Sequence, residues 1–471
     1  MRRPTVASMF VVLAIPAALA LAPTPARADE PIKLLAENPR YFEFRGRPTL
    51  LITSGEHYGA VLNLDFDYRA YLDELHRHGL NNTRTFAGTY RETPGSFNIR
   101  DNTLAPKPGR FASPWLQVQQ PGEPEKFDLD RYDDAYFARL KDFLTLAAER
   151  GVVVEYNLFC VLYDDGLWAI NPMNAANNVN GVGGCPRGEV LTLRHDDLTA
   201  RQLAFVKKAV TELNDFDNLY YEICNEPYFG ASLEWQAKIA ATIVETERTL
   251  PKKHLISQNF ANDKGKIERP DPNVSFYNFH YAVPEAVTAN AHLNRPIGDN
   301  ETGFKGNDDR VYRTQAWEFL LAGGALYNNL DYSFTPAHPD GSAEVKEPTP
   351  GGGGLALRKQ LAILAEFLRT LEVWTMKPAP EILRPQESKL AEGARASTLA
   401  RPGVYAIYID RGPKAALALR LPPASYHFEW IDPRSGDELA HGDLILADAE
   451  AVASLESPDF AEDLVLKIQA R

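Results

Sequence analysis

Two hydrophobic periods alternate along most of this chain. The first is a short apolar run, seen most clearly in Val152-Val153-Val154-Glu155-Tyr156-Asn157-Leu158-Phe159, which reads as a strand buried on both faces. The second is a longer stretch with apolar residues at helical spacing, such as Tyr136, Phe137, Leu140, Phe143, Leu144 and Ala147. Runs of the first kind begin near residues 50, 82, 152, 218, 254, 274, 295 and 326. Helical stretches fill most of the gaps, over 67–79, up to 151, from 196, over 233–249, over 309–321 and over 355–371. Asp67 is placed to cap the first of them and Gly79 to end it. The gap between the fifth and sixth runs is short and reads as non-helical. Ahead of the first run, residues 41–44 and 49–52 flank Arg45-Gly46-Arg47-Pro48, the pattern of a hairpin.

Strands alternating with helices imply a parallel sheet. Eight such units over residues 50–371 favour a closed TIM (β/α)8 barrel over an open doubly wound sheet. No Gly-x-Gly-x-x-Gly follows the first strand, which argues against dinucleotide binding. Beyond Lys377-Pro378-Ala379-Pro380 the helical period disappears. Short β-rich runs over 404–409, 416–421, 426–431 and 464–468, with the turn cluster Asp432-Pro433-Arg434-Ser435-Gly436, read as a small β-sandwich. The division expected is a barrel over 29–376 and a sandwich over 377–471.

Composition changes this picture at three points. Net charge is −13 over 471 residues, which disfavours nucleic acid and anionic membranes as partners. Arg2 and Arg3, the apolar run 10–21 and Ala26-Arg27-Ala28 form a leader over 1–28 with a cleavage site. Export to a secreted or periplasmic location is therefore expected, and no later segment is apolar enough to span a membrane. The three cysteines are too few for a disulfide framework. Cys160 and Cys185 flank one loop and could pair; Cys224 reads as a buried small residue.

The fourth strand carries the chemistry. It runs through Tyr221-Glu222-Ile223-Cys224-Asn225-Glu226-Pro227, and the proline is expected to stop it. Asn225 and Glu226 then sit at the C-terminal tip, at the barrel mouth where such folds place chemistry. The seventh strand ends in Asp299-Asn300-Glu301. Two carboxyl groups on facing strand tips suit glycoside hydrolysis with retention, one as acid and the other as nucleophile. Glu301 is the expected partner of Glu226. Strand alternation puts Asp299 on the same face and makes it the alternative. Glu222 shares parity with Glu226 and points inward, where it needs a cationic partner such as Arg84.

The heptapeptide ending in Asn-Glu-Pro resembles the corresponding motif of clan A glycoside hydrolases, especially the cellulase-like families. Cys224 stands where those families usually have alanine. The resemblance implies that Glu226 is the acid/base, that Asn225 hydrogen-bonds the sugar 2-hydroxyl, and that Glu301 is the nucleophile. It also implies that Arg84 lies near the nucleophile and that His280 and Tyr281 reach the sugar. In those families the tyrosine follows two residues after the histidine, whereas here the two are adjacent. Residues 37–41 and 430–436 resemble a narrower group, in which an apiosidase-like barrel precedes a β-sandwich named for collagen binding. Collagen binding is not inferred; the sandwich is expected to pack on the barrel.

Position alone nominates Glu56 and His57, at the first strand tip, as ligand contacts. Trp168, Tyr163, Tyr332 and Asn328 are candidates for a sugar platform and hydroxyl contacts. Each of these also has a structural reading, as core packing or a satisfied buried polar group. The function expected is a retaining glycoside hydrolase acting on an oligo- or polysaccharide or a smaller glycoside, with no metal or organic cofactor. A non-catalytic glycan-binding protein on the same barrel is the alternative. Loops over 88–130, 162–195 and 334–354 are expected to shape the cleft.

Overall fold

A computed structural model describes residues 30–118, 125–448 and 452–471. The expected leader lies outside the described residues. Eight barrel strands follow in chain order: β1 Leu51–Gly55, β2 Asn82–Phe86, β3 Val153–Asn157, β4 Leu219–Glu222, β5 Ile256–Asn262, β6 Phe276–His280, β7 Ile297–Thr302 and β8 Leu326–Leu330. They form one eight-stranded sheet ordered β1-β8-β7-β6-β5-β4-β3-β2, with every hydrogen-bonded neighbour parallel. Most strands are buried along their whole length, as their continuous apolar character requires.

Asn81 closes the seam along β1 and β2, and just past β1 the Phe86 N–H donates to the Tyr58 carbonyl at 2.9 Å. Asn81 donates its backbone N–H to the Ile52 carbonyl at 3.2 Å. Its Oδ1 accepts from the Ile52 N–H at 2.9 Å, and its Nδ2 donates to the Leu50 carbonyl at 2.7 Å. An amide side chain thus supplies hydrogen bonds that a regular ladder would make between two strands.

The helices are α1 Tyr68–Arg77, α2 Asp134–Glu149, α3 Asp165–Ala169, α4 Asp196–Leu213, α5 Leu233–Glu247, α6 Pro284–Ala289, α7 Asp309–Leu321 and α8 Leu355–Thr370. Asp67 caps α1 by accepting from the Arg69 and Ala70 N–H groups, and Gly79 follows with φ +66°. Among the described residues no helix joins β5 to β6, as their short spacing implies. The long loops hold more order than their composition indicates. A hairpin of Trp115–Val118 and Lys126–Tyr132 lies within 88–130, and α3 lies within 162–195.

Past residue 376 the chain is antiparallel. Six strands, Lys377–Pro378, Ala396–Arg401, Val404–Ile409, Leu464–Ala470, Ala424–Ile431 and Glu438–Leu446, form one sheet in that spatial order. Ala416–Arg420 pairs with Val452–Glu456 in a second. Both sheets contribute to one apolar core, with Ile407, Leu417, Trp430, Leu455 and Leu466. Glu438–Leu446 escapes prediction because it is an edge strand largely open to solvent, interrupted by Gly442 and with Glu438, His441 and Asp443 breaking its apolar run. The sandwich packs on α7. Tyr408 stacks on Trp317 with ring centroids 5.3 Å apart, and Arg313 grips Asp463 through two hydrogen bonds of 2.8 Å. Among the described residues, no helix is long and apolar enough to cross a membrane.

Because Asn81 alone bridges the seam through its side chain, Asn81→Ala should lower the unfolding free energy by about 1–3 kcal/mol, measured by urea denaturation. An unchanged midpoint would show that the seam does not depend on the amide.

Candidate active site

The carboxyl group of Glu226 is presented by an abrupt change of backbone. The β4 ladder ends at Glu222, earlier than the proline predicts. The chain then makes a single bridge, Asn225 to Cys160, with the Asn225 N–H donating to the Phe159 carbonyl at 2.8 Å. Glu226 itself is left-handed (φ +48°, ψ +47°), and Pro227 starts a short 3-10 turn. A glutamate in this region is strained, and the turn aims its side chain across the barrel mouth. Its Oε1 lies 3.1 Å from the Tyr228 hydroxyl and 3.2 Å from His280 Nδ1, while its Oε2 accepts from the Tyr163 hydroxyl.

Glu301 reaches the same place through a bulge. Phe279 pairs with Asp299 but His280 pairs with Glu301, so Asn300 is an extra residue in β7. A bulge breaks the two-residue alternation. Asp299, predicted to share a face with Glu301, instead lies buried under α7, 3.2 Å from Gln315 Nε2. Burial pushes its carboxyl pKa well up. Asn300 points into the barrel and donates to Glu155 at 3.0 Å and Glu222 at 2.9 Å. Glu301 turns to the mouth, where it and Glu226 share His280.

Four groups surround the Glu301 carboxylate. Tyr281 donates to Oε1 at 2.7 Å, Tyr58 to Oε2 at 2.9 Å and Arg84 Nη1 to Oε2 at 3.3 Å, and His280 Nδ1 lies 3.3 Å from Oε1. Burial works against its charge, but His280, Arg84 and Tyr281 outweigh that and hold its pKa well below the usual carboxylate range. The position of Tyr281, adjacent to the histidine, is explained by its left-handed φ of +53°, which turns its ring to Glu301. Tyr58 is also left-handed, at φ +61°. Three non-glycine residues in this costly region thus converge on one pair of carboxylates.

Arg84 is the support beneath. Its side chain is 1% exposed, and it contacts Glu155, Glu222, Glu301 and the Asn225 Oδ1, the last at 2.7 Å. Its guanidinium also faces the Tyr58 ring, 4.5 Å from the centroid. Glu222 is fully buried and takes Arg84, Asn278 and Asn300 as partners, so it is structural, as its parity implies. Glu155 shares Arg84; burial and the neighbouring Glu222 charge raise its pKa to about 7.

Oxygens of Glu226 and Glu301 and the His280 nitrogen all come within 4.8 Å of one another. Three such atoms could enclose a cation. The remaining contacts argue otherwise, because phenol hydroxyls and Arg84 already direct donors at the carboxylate oxygens, and Arg84 adds positive charge. The cleft around the pair has a volume of about 110 Å³ and includes His57, Tyr58, Glu92, Phe97, Tyr163, Asn225, Tyr281 and Phe304 in its walls.

Other candidates fall elsewhere. Glu56 turns back on its own loop, its two oxygens accepting from the Gly59 and Ala60 N–H groups at 3.0 and 2.9 Å. Trp168 is buried within the 162–195 loop, its Nε1 donating to the Cys185 carbonyl at 3.0 Å. Asn328 is buried in the barrel and donates to the Asn300 carbonyl at 3.0 Å. Tyr332 is buried behind the cleft, with its ring edge-on to His57 and Phe304. His280 is wholly buried between the carboxylates rather than open to a ligand. His57 does line the cleft. All three cysteines are free thiols; Cys160 packs beside Asn225 and Tyr163, so the bridge to Cys185 is not formed. Tyr163 holds Glu226 in addition to lining the cleft. Tyr58, Tyr228, Glu92, Asn102 and Glu155 escaped prediction. Only Tyr228 had a local signal, its place two residues beyond Glu226.

No protein-family model and no curated protein matches this sequence. Solved structures do match. A structure described as that of a "putative glycoside hydrolase" from Bacteroides vulgatus aligns with 95% of this chain and 83% of its own at 15% identity, with a TM-score of 0.64. The chain has a glycoside-hydrolase fold. A second structure described as a glycoside hydrolase aligns with 94% of this chain and 97% of its own, at 13% identity and a TM-score of 0.62. A family 5 glycoside hydrolase, also from Bacteroides vulgatus, aligns with 93% of this chain and 94% of its own, at 12% identity and a TM-score of 0.63. The alignments extend over barrel and sandwich together. They match the expected clan A barrel at the level of fold.

Burial gives the site a pH signature. It raises Glu56, Glu92 and Glu155 from an ordinary 4.5 to about 7. Between those values the folded chain holds more protons than the unfolded one, so stability falls as pH rises. His280 extends the trend, because burial is outweighed by the two carboxylates and its pKa moves from 6.5 to about 10. The depressed Glu301 acts only on the acid side of this interval, and His57, lowered by burial to about 4, opposes the trend below pH 6.5 as one group against three carboxyls. The thermal midpoint should therefore fall from about pH 5 to pH 8, and Glu56→Gln should flatten the slope. A midpoint that rises over this interval contradicts the protonation pattern.

Proposed function

We propose that this protein is a retaining glycoside hydrolase, with Glu301 as nucleophile and Glu226 as acid/base. The observation that carries the reading is that an oxygen of each carboxylate lies within 4.8 Å of an oxygen of the other at the barrel mouth, with His280 between them. Retaining enzymes hold these groups about 5–5.5 Å apart, whereas inverting enzymes need about 6.5–9.5 Å to admit a water. The glycoside-hydrolase fold supports the reaction class.

The environments of the two acids suit different tasks. Glu301 is ionised by His280 and Arg84, as an attacking carboxylate must be. Glu226 is held by the two phenols Tyr163 and Tyr228 and by the shared His280. In the first step Glu226 gives its proton to the glycosidic oxygen while Glu301 attacks the anomeric carbon, and the alcohol leaves. The product is a glycosyl ester on Glu301. In the second step Glu226 takes a proton from water, which attacks the same carbon and releases Glu301. Asn225, fixed by Arg84 and Tyr163, is placed to bind the sugar 2-hydroxyl. Purely non-catalytic glycan binding leaves the strained Glu226 and the ionised Glu301 without a purpose.

Glu226→Ala should lose about 10²–10⁴-fold activity on glycosides with poor leaving groups, and added azide should restore part of it. Wild-type protein treated with 2-deoxy-2-fluoro glycosides should carry a sugar adduct on Glu301, located by mass spectrometry of peptides, and Glu301→Gln should carry none. An adduct on another residue removes Glu301 from the nucleophile role.

A further inference from the structure

The cleft has a side wall that neither proposed catalytic group uses. Asn102, in the loop after β2, is its pivot. The Leu104 N–H donates to Asn102 Oδ1 at 2.8 Å, which fixes the orientation of the amide. Its Nδ2 therefore donates to Glu92 Oε2, and its Oδ1 faces His57 Nδ1 at 3.1 Å. An amide oxygen can only accept, so His57 carries its proton on Nδ1. Burial lowers the His57 pKa to about 4 despite the nearby Glu301, so the ring is neutral. Its Nε2, on the edge away from Asn102, is left as a bare acceptor. Glu92 takes a second hydrogen bond, from the Tyr90 hydroxyl at 3.1 Å, and keeps spare lone pairs. The wall is tied to the barrel mouth by Thr103, whose Oγ1 donates to the His57 carbonyl at 2.9 Å.

This wall therefore offers acceptors. Among the described residues no lysine or arginine lines the cleft, which carries three carboxyl groups, Glu92, Glu226 and Glu301. The Arg84 guanidinium beneath them is engaged by Glu155, Glu222, Glu301 and Asn225, which take four of its five N–H groups. The volume of about 110 Å³ is well below the roughly 300–1,000 Å³ of common ligand sites, and suits one ring rather than a stretch of polymer.

We propose that Glu92 and His57, oriented by Asn102, form a hydrogen-bond-accepting wall that selects a neutral sugar ring and rejects uronic acids. The inference rests on the glycosidase reading of the same cleft. A neutral sugar presents hydroxyl hydrogens to these acceptors. Above about pH 7, where Glu92 is ionised, a uronate brings its carboxylate beside Glu92 and Glu301, while the nearby His280 and Arg84 are already engaged by the protein's own carboxyl groups, so the added charge is left unpaired and excluded.

Two measurements test this separately from catalysis. Hydrolysis of 4-nitrophenyl glycosides is compared for neutral hexosides and pentosides against the matched glucuronide and galacturonide. Binding of free glucose, galactose, mannose and xylose is compared calorimetrically with binding of glucuronate and galacturonate. The wall predicts at least about 100-fold preference for a neutral member in either assay. Glu92→Gln, which replaces an acceptor with a donor, should reduce that preference by about tenfold, chiefly through KM or Kd. Uronides cleaved as well as their neutral counterparts overturn the wall and leave the hydrolase reading intact. Neutral sugars bound with the expected preference, but cleaved by no arm of the panel, support the wall and count against hydrolysis. Equal binding of both classes, binding of no neutral sugar, or an unchanged preference in Glu92→Gln overturns the inference.

Discussion

A single guanidinium holds the centre of this molecule. Arg84 leaves β2 and engages Glu155 from β3, Glu222 and Asn225 from the β4 segment, and Glu301 from β7. Burying one cation costs several kcal/mol, and only a complete shell of acceptors offsets it. Here four of its five N–H groups are engaged, and the partners span the barrel, so the position of each proposed catalytic side chain depends on the others. Removing the arginine leaves three buried carboxyls without their shared cation, which makes it a positioning residue as much as an electrostatic one. The Tyr58 ring over its face adds a cation–π contact and ties the same cation to the tip of β1.

The two glutamates differ because their neighbours differ. Glu301 meets an arginine, an imidazole and two phenols, a set that favours its charge. Glu226 meets two phenols and shares the imidazole, with no arginine contact. His280 is the hinge between them, its Nδ1 3.2 Å from one carboxylate and 3.3 Å from the other. A proton held there is attracted by both acids.

The barrel was readable from the chain because its strands are buried on both faces and its helices are amphipathic, two patterns that local sequence carries well. Glu226 and Glu301 were readable because each lies close to the C-terminal end of a strand, four residues past the β4 ladder in one case and at the penultimate position of β7 in the other. What could not be read depends on pairing between strands. The bulge at Asn300 reverses the faces of Asp299 and Glu301, and nothing within Ile297-Gly298-Asp299-Asn300-Glu301 announces it. The left-handed Tyr58 and Tyr281 are likewise held by tertiary contacts and not by local preference. Glu56 and His57 are neighbours at one strand tip, yet one carboxyl folds back on backbone N–H groups while the other ring faces the cleft. Glu92 and Asn102 come from a loop of ordinary composition, and only its fold over the mouth gives them a place.

Sandwich and barrel are joined by an aromatic stack and a bidentate ion pair on α7, the helix that leads from β7 to β8. That contact braces the side of the barrel which carries Glu301. The central claim remains the spacing of the two carboxylates, and the stereochemistry of the product reports on it most directly. Proton NMR of a substrate during its first turnovers shows which anomer forms before mutarotation. Carboxylate oxygens that approach within 4.8 Å leave the pair in the retaining arrangement, which predicts the same anomeric configuration as the substrate. First appearance of the opposite anomer would contradict the account.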